Sequence, residues 1–239
     1  MFGAGTLINA AAIVAGGLLG LLFGKLLKKG LQDILICACG LSVIFIGAAG
    51  AFEEMFTVDG SALSSSGTLM IIFSMCLGAL AGELIGIEQA TERLGLWLKR
   101  KSGSGGDTAF VTGFVNASFT VSIGAMAILG PINDALYGDL SILLAKSVLD
   151  CVFVFAMTAS YGKGCIFSVL PVVVIQGFFT LCARLIQPLL TPAALSNLSL
   201  VGSILIFCVG INLVFGKKIR VANFLPALIF AVIWGLAGW

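Results

Sequence analysis

The sequence predicts an all-α, polytopic transmembrane bundle of about eight helices. Of its 239 residues, 59% are hydrophobic and only 10% are charged, whereas soluble domains carry about 25% charged residues. Long apolar runs recur along the whole chain, and lysine and arginine concentrate in alternate connectors between these runs. These three observations together predict a membrane protein.

Eight apolar runs are long enough to cross a bilayer as helices, which takes about twenty residues each. The runs lie near residues 5–24, 32–52, 67–88, 108–130, 140–161, 164–187, 199–216 and 221–238. The fourth run contains Gly124, Gly130 and Pro131, which favour an interrupted or re-entrant helix. We expect the helices to be arranged as hairpins.

Basic residues divide the connectors into two classes. Connectors one, three, five and seven contain lysine or arginine, in the stretches "GKLLKKG", "LKRKSGSGGD", "YGKGC" and "GKKIR". Connectors two, four and six contain neither, and Arg184, just before the sixth, is the one imperfect assignment. Cytoplasmic loops carry the excess of lysine and arginine, so we expect the odd connectors in the cytoplasm and both termini outside.

The chain is expected to form a single transmembrane domain over residues 1–239. Residues 87–100, "IEQATERLGLWLKR", are amphipathic and either extend the third helix or lie along the membrane interface. The flexible Gly/Ser linker that follows could join two halves, residues 1–101 and 107–239.

Glycine recurs at four-residue spacing in the first and third helices. Such small-residue faces let helix backbones approach closely, so they predict tight packing inside one subunit or in a homodimer. A thin, mobile wall of a transport pathway is the other interpretation. Weak similarity between residues 17–27 and 77–86 also suggests an internal repeat, as in many transporters. The glycines concerned are Gly16, Gly20, Gly24, Gly78, Gly82 and Gly86.

Two charged residues, Lys146 and Asp150, interrupt the fifth apolar run, "SILLAKSVLDCVFVFAM". If Asp139 lies near the outer surface, Asp150 is eleven residues further in, roughly 16 Å at the helical rise per residue. That depth is close to the middle of the bilayer, where a charge exposed to lipid costs several kcal/mol. Residues four apart share a helix face and can pair. The pair is therefore either part of a transport pathway or a structural ion pair.

Other polar side chains lie at membrane depth in the apolar runs. They could line a pathway and donate or accept hydrogen bonds from a substrate, or they could simply join helices to one another. These candidates are Asn9, Asn116, Ser118, Thr120, Ser122, Gln176 and Asn212.

Several functional classes are disfavoured by composition. The chain contains no histidine, which excludes histidine-dependent catalytic triads and removes the commonest metal ligand. The seven cysteines fall almost entirely within apolar runs, and neither a metal site nor a nucleotide-binding loop is visible. A net charge of +2 gives no case for nucleic acid. We therefore expect no enzymatic activity, no cofactor and no bound metal.

Several stretches together resemble one family of bacterial inner-membrane proteins. They are "GTLINAAAIVAGGLLGLLFGK", "GAMAILGPINDALYGDLSILLAKSVLDC", "LPVVVIQG" and "KIRVANFLPALI". The chain is similar along nearly its whole length to the YqgA/YdfK-like family, domain of unknown function 554. The resemblance implies a multi-pass protein of the bacterial cytoplasmic membrane, for which transport is often presumed.

The function expected from the sequence is transport of a small solute or ion, with Lys146 and Asp150 in the pathway. The alternative is a non-transporting membrane protein that binds a partner protein or lipid. A water-filled cavity that reaches Asp150 would favour the transporter, whereas a dry, sealed ion pair would favour the alternative.

Overall fold

The computed structural model describes residues 3–59, 62–124 and 126–237. These residues confirm the predicted all-α bundle, since most of them lie in eleven α-helices. The helices are α1 (Ala4–Gly24), α2 (Lys29–Met55), α3 (Thr68–Ile85), α4 (Ile87–Lys101), α5 (Phe110–Ser122), α6 (Met126–Tyr137), α7 (Ser141–Tyr161), α8 (Val169–Leu181), α9 (Ala183–Ile186), α10 (Pro192–Phe215) and α11 (Pro226–Leu236). Short 3-10 helices lie at Lys163–Ser168, Gln187–Leu189 and Val221–Phe224.

The described helices account for all eight apolar runs. Six are long and apolar enough to cross a membrane, namely α1, α2, α3, α7, α10 and the segment Lys163–Leu181 that contains α8. The pair α5 and α6, bent by 55° where they meet, forms a seventh candidate and covers the fourth run. The eighth run corresponds to a shorter apolar segment, Val221–Leu236.

The closest helix packing joins segments far apart in the sequence. Helix α1 runs parallel to α7, with Gly16 against the backbone of Cys151 and Gly24 against Ala159. Helix α2 runs antiparallel to α10, and α3 runs antiparallel to α11. In a chain that crosses a membrane eight times in succession, two odd-numbered spans run parallel, whereas an odd-numbered and an even-numbered span run antiparallel. The three pairs follow this rule, since they join spans one and five, two and seven, and three and eight. Helices on both sides of the Gly/Ser linker therefore interlock.

The connectors collect at two ends of the bundle. At one end, here called the basic end, Ser160 Oγ donates to the Gln32 carbonyl at 2.9 Å and Lys217 pairs with α4. At the opposite end, Gln187 Nε2 donates to the Tyr137 hydroxyl at 2.9 Å. The odd connectors thus share one end and the even connectors share the other.

The glycine stripes provide close helix contacts inside the chain. A Cβ at Gly16 or Gly20 would overlap the backbone of α7, and a Cβ at Gly82 would overlap the Asn223 carbonyl. Gly86 does not continue its stripe, because it ends α3 with a φ of 74°. The two stripes are thus covered by other parts of the same chain, and they offer no free face to a second copy.

A β-hairpin between α2 and α3 did not follow from the helical patterns. Strands β1 (Phe56–Asp59) and β2 (Ala62–Ser65) pair antiparallel, with Phe56 opposite Ser65. Thr57 and Ser64 share a hydrogen bond of 2.8 Å between their hydroxyls. The hairpin lies in the second connector, which belongs to the opposite end.

Candidate functional site

The interruption between α5 and α6 is the centre of the candidate site. Helix α5 ends at Ser122, and Gly124 follows with a φ of 125°, a conformation that L side chains rarely adopt. Helix α5 spans 13 residues, so its end lies about 20 Å along the axis from its start. The last carbonyls of a helix lack partners within it, and at this depth no lipid group can supply one.

Lys146 on α7 supplies a partner for the end of α5. Its Nζ donates to the Val121 carbonyl at 2.6 Å and to Asp150 Oδ1 at 2.9 Å. The same Nζ lies 2.9 Å from Asp150 Oδ2. Because carbonyls at a helix C-terminus carry partial negative charge, the ammonium is placed between two negative groups. The predicted ion pair is therefore attached directly to the interrupted helix.

Asn9 on α1 completes the surroundings of Asp150. Its Nδ2 donates to Asp150 Oδ2 at 3.0 Å. The side chains of Lys146 and Asp150 are only 7% and 5% exposed. Three of the predicted site residues are thus brought together from α1 and α7, and they meet at the break between α5 and α6.

In this conformation the ion pair is enclosed by protein. The larger of two described cavities has a volume of about 580 Å³ and runs between α8 and α11, with the broken helix as its back wall. Ser118, Ser122 and Gly124 lie on that wall, but the rest of the lining is almost entirely apolar. Neither Lys146 nor Asp150 lines this cavity or the smaller one.

Three other predicted residues have local roles, Thr120 near the end of α5 and the other two towards the basic end. Thr120 Oγ1 donates to the Asn116 carbonyl within α5 at 2.9 Å. Asn116 also lines the small second cavity, beside the buried Glu88. Asn212 holds the turn after α10, since its Nδ2 donates to the Ile219 carbonyl at 2.7 Å and its Oδ1 accepts two backbone amides. These side chains do not contact the ion pair.

A group of buried polar residues beside the first turns of α1 is only partly anticipated by the sequence. Asp134 is missing from the predicted site, because Pro131, Asn133 and Gly138 make its surroundings look like a connector. In the structure it lies in α6, and its Oδ2 accepts the Gly5 amide at 2.9 Å. We call this group the α1 polar cluster; its members are Thr6, Asn9, Asp134, Gln176 and Thr180.

Charged side chains at the basic end join α3 and α4 to the turn before α11. Lys217 lies 2.7 Å from Glu88 and also pairs with Glu92. Partial burial lowers the pKa of Lys217, but its hydrogen bonds and attraction to these two carboxylates outweigh burial and raise that pKa above its ordinary value. Arg220 Nη1 contacts both Glu83 oxygens, at 2.6 and 2.9 Å. This network fixes the amphipathic helix against the bundle.

Comparisons with known proteins extend over the whole bundle. The family model described as "Protein of unknown function (DUF554)" matches residues 4–236. A Bacillus subtilis (strain 168) relative, "Uncharacterized membrane protein YdfK", is 28% identical over 225 residues, covering 94% of this chain and 92% of the relative. The Escherichia coli (strain K12) "Uncharacterized protein YqgA" is 30% identical over 234 residues, covering 95% and 94%. No solved structure matches the chain.

Proposed function

Since the chain belongs to the DUF554 family of proteins of unknown function, we propose that this multi-pass membrane protein transports a small solute or ion. The observation that carries the proposal is the attachment of the Lys146–Asp150 pair to the end of α5 through the Val121 carbonyl. Ionisable groups inside a membrane are rare and commonly mark ion or substrate pathways. Transporters also build their sites on interrupted helices near the middle of the bilayer.

In the proposed mechanism, Lys146 occupies the position that a transported cation or proton takes up later. A cation or proton that binds Asp150 removes the attraction between this carboxylate and the ammonium. Lys146 is then held mainly by the Val121 carbonyl, and the angle between α5 and α6 is free to change. A ligand shifts such an equilibrium only through different affinities for the two states, and competition with Lys146 supplies that difference.

The polar face of the broken helix would contact the transported solute. Ser118 and Ser122 line the large cavity, and neither hydroxyl has a hydrogen-bond partner among the described residues. In this proposal the described conformation is the closed one, and movement of α5 against α6 joins the cavity to Asp150. Gly124 is the hinge, because its φ of 125° is readily adopted only by glycine.

The proposed location is the bacterial cytoplasmic membrane, with both termini outside. Its support is the collection of the lysine- and arginine-containing connectors at one end of the bundle, which the positive-inside rule assigns to the cytoplasm. Fusion of a reporter such as alkaline phosphatase, which is active only outside the cytoplasm, to either terminus tests this orientation. Activity at both termini is expected, and activity at neither would reverse the orientation.

A second candidate function is supported by the enclosure of the ion pair. A protein that binds a partner protein or a lipid, without transporting anything, needs no route from solvent to Asp150. In that case Lys146 and Asp150 only hold α7 against α5, and the large apolar cavity accommodates a lipid chain.

Flux measurements in liposomes distinguish the two candidates. The panel contains protons, sodium, potassium, chloride, and small organic acids and neutral solutes, each driven by an imposed gradient. The test variant combines Lys146→Met with Asp150→Asn, which removes both charges and leaves none unpaired. Its matched control, Glu83→Gln with Arg220→Gln, removes the exposed ion pair at the basic end.

The transporter proposal expects flux of at least one solute in the wild type and the control, and loss of that flux in the test variant. Unchanged flux in the test variant would show that Lys146 and Asp150 are not part of the pathway. Absence of flux for the whole panel would favour the second candidate.

A further inference from the structure

We infer that the α1 polar cluster is a binding site for an alkali cation such as sodium. This site is distinct from the Lys146–Asp150 pair, although Asn9 belongs to both. Its role as the coupling-ion site rests on the proposed transport function, whereas cation binding itself does not.

Asp134 is the anionic group that a bound cation would neutralise. It is 3% exposed, and its Oδ2 accepts the Gly5 amide, but its Oδ1 has no hydrogen-bond partner. Within residues 3–59, 62–124 and 126–237, no lysine or arginine forms a salt bridge with it. The N-terminus of α1 offsets part of this charge, but a buried carboxylate without a full counter-charge is still costly. A bound cation removes that cost.

Buried side chains of α1 and α8, two helices that pack against each other and against α6, provide neutral oxygens for such a cation. Each is at least nine-tenths buried, and each has a side-chain oxygen that makes no hydrogen bond within the described structure. Buried polar atoms without partners are few in native proteins and deserve a specific explanation. These oxygens are Thr6 Oγ1, Asn9 Oδ1, Gln176 Oε1 and Thr180 Oγ1.

The cluster lies along the first turns of α1. Thr180 is placed beside Gly3, since a Cβ on that glycine would lie 3.7 Å from Thr180 Cγ2. Asp134 contacts Gly5, and Asn9 follows one turn later. Gln176 shares its face of α8 with Thr180, one turn deeper. From Gly3 to Asn9 is about 9 Å along the helix axis, so the cluster leads from the opposite end of the bundle towards Asp150.

The charge balance favours a monovalent cation. The nearby Asp150 is already neutralised by Lys146 at 2.9 Å, and Asp134 is the single carboxylate of the cluster, without a lysine or arginine partner among the described residues. Calcium and magnesium sites usually combine carboxylates with further oxygen ligands, whereas one carboxylate balances one alkali ion. Neutralising the carboxylate alone would leave the four neutral oxygens without a partner, whereas a bound cation contacts them as well.

Thermal unfolding of the purified protein in detergent tests the site. Sodium chloride or potassium chloride is titrated while choline chloride keeps the ionic strength constant. We expect at least one of the two alkali cations to raise the melting temperature in a saturable manner, because a ligand that binds only the folded state stabilises it.

The variants separate cation binding from structural damage. Asp134→Asn is expected to abolish the alkali-dependent shift. Thr180→Val and Thr6→Val keep the side-chain shape, and each is expected to weaken binding by about tenfold or more. The matched control is Asp139→Asn, which changes an exposed carboxylate at the same end of the bundle.

A shift of equal size in choline chloride, or a full shift in Asp134→Asn, would overturn the inference. If Asp134→Asn does not fold, unchanged alkali affinity in both threonine variants would overturn it equally. Saturable binding without flux for any solute in the liposome panel would support the cation site and contradict the proposed transport. Flux without saturable alkali binding would support the proposed transport and contradict the cation site.

Discussion

Removing one charge from the Lys146–Asp150 pair is predicted to destabilise the protein more than removing both. Asp150→Asn leaves the Lys146 ammonium enclosed without a counter-charge, since the Val121 carbonyl and an amide oxygen at position 150 are neutral acceptors. Breaking a buried pair by removing one partner costs about 3–5 kcal/mol, because the other charge stays buried without compensation. Lys146→Met is expected to cost a similar amount, since it leaves Asp150 with the Asn9 amide alone.

The double variant has a smaller calculated cost. With both charges removed, an asparagine at position 150 can still accept from Asn9, and only the Val121 carbonyl loses its donor. One unsatisfied buried acceptor costs about 1–3 kcal/mol. The double variant should therefore lose less stability than either single variant, and far less than the sum of the two.

Thermal unfolding in detergent measures this difference directly. For a chain of this size, about 1 kcal/mol shifts the melting temperature by about 2–4 °C. Each single variant is then expected to melt about 10 °C below the wild type, and the double variant about 5 °C below it. If the double variant instead loses the sum of the two single losses, the side chains are energetically independent, and the central role given to the pair is wrong.

Three further predictions concern the helix contacts and the basic end. Gly82→Ala should lower the free energy of unfolding by about 1–3 kcal/mol, measured by thermal unfolding, since its Cβ would overlap the Asn223 carbonyl. In the control, Gly177→Ala, the new Cβ meets no atom within 4 Å and should cost no stability. Equal losses of stability in the two variants would exclude this packing. Asn212→Ala should cost about 2–4 kcal/mol in the same measurement, because three hydrogen bonds that hold the turn after α10 are lost; a loss below about 0.5 kcal/mol would contradict this role. The pKa of Lys217 is raised on folding, so its contribution to stability should be complete below pH about 10.4 and should disappear as pH rises through the higher pKa of the folded state. The melting temperature of a Lys217→Met variant should therefore fall less at alkaline pH than that of the wild type. An equal fall in both proteins would contradict the ion pairs of Lys217.

The positions of the spans were predictable because each depends on local composition. An apolar run of about twenty residues predicts where a span lies, and the basic connectors predict its orientation. The described helices match all eight runs. The family resemblance is confirmed, and it was recognisable because it rests on long stretches of sequence. The β-hairpin was missed, although the sequence Asp-Gly that begins at Asp59 is typical of hairpins.

Helix partners were less predictable, because lipid-exposed and buried apolar faces have similar compositions in a membrane. The glycine stripe on α1 predicts a close neighbour but not that the neighbour is α7. Asn9 was identified as polar at membrane depth, but its contact with Asp150 spans 141 positions of sequence. No local pattern encodes such a contact. Asp134 was missed because proline and glycine around it imitate a connector, although the structure places it in α6.

Chemical access to position 146 shows whether the ion pair lies on a transport pathway, because transport requires water to reach the pair in some conformation. Lys146→Cys is introduced after replacement of the native cysteines, and the folded protein in liposomes is treated with a water-soluble aminoethyl thiosulfonate. This reagent attaches an ammonium group, which restores a lysine-like partner for Asp150. If the proposed transport is correct, labelling is slow and the melting temperature recovers as the charge is restored. No labelling in the folded protein, under gradients of either direction, would contradict it.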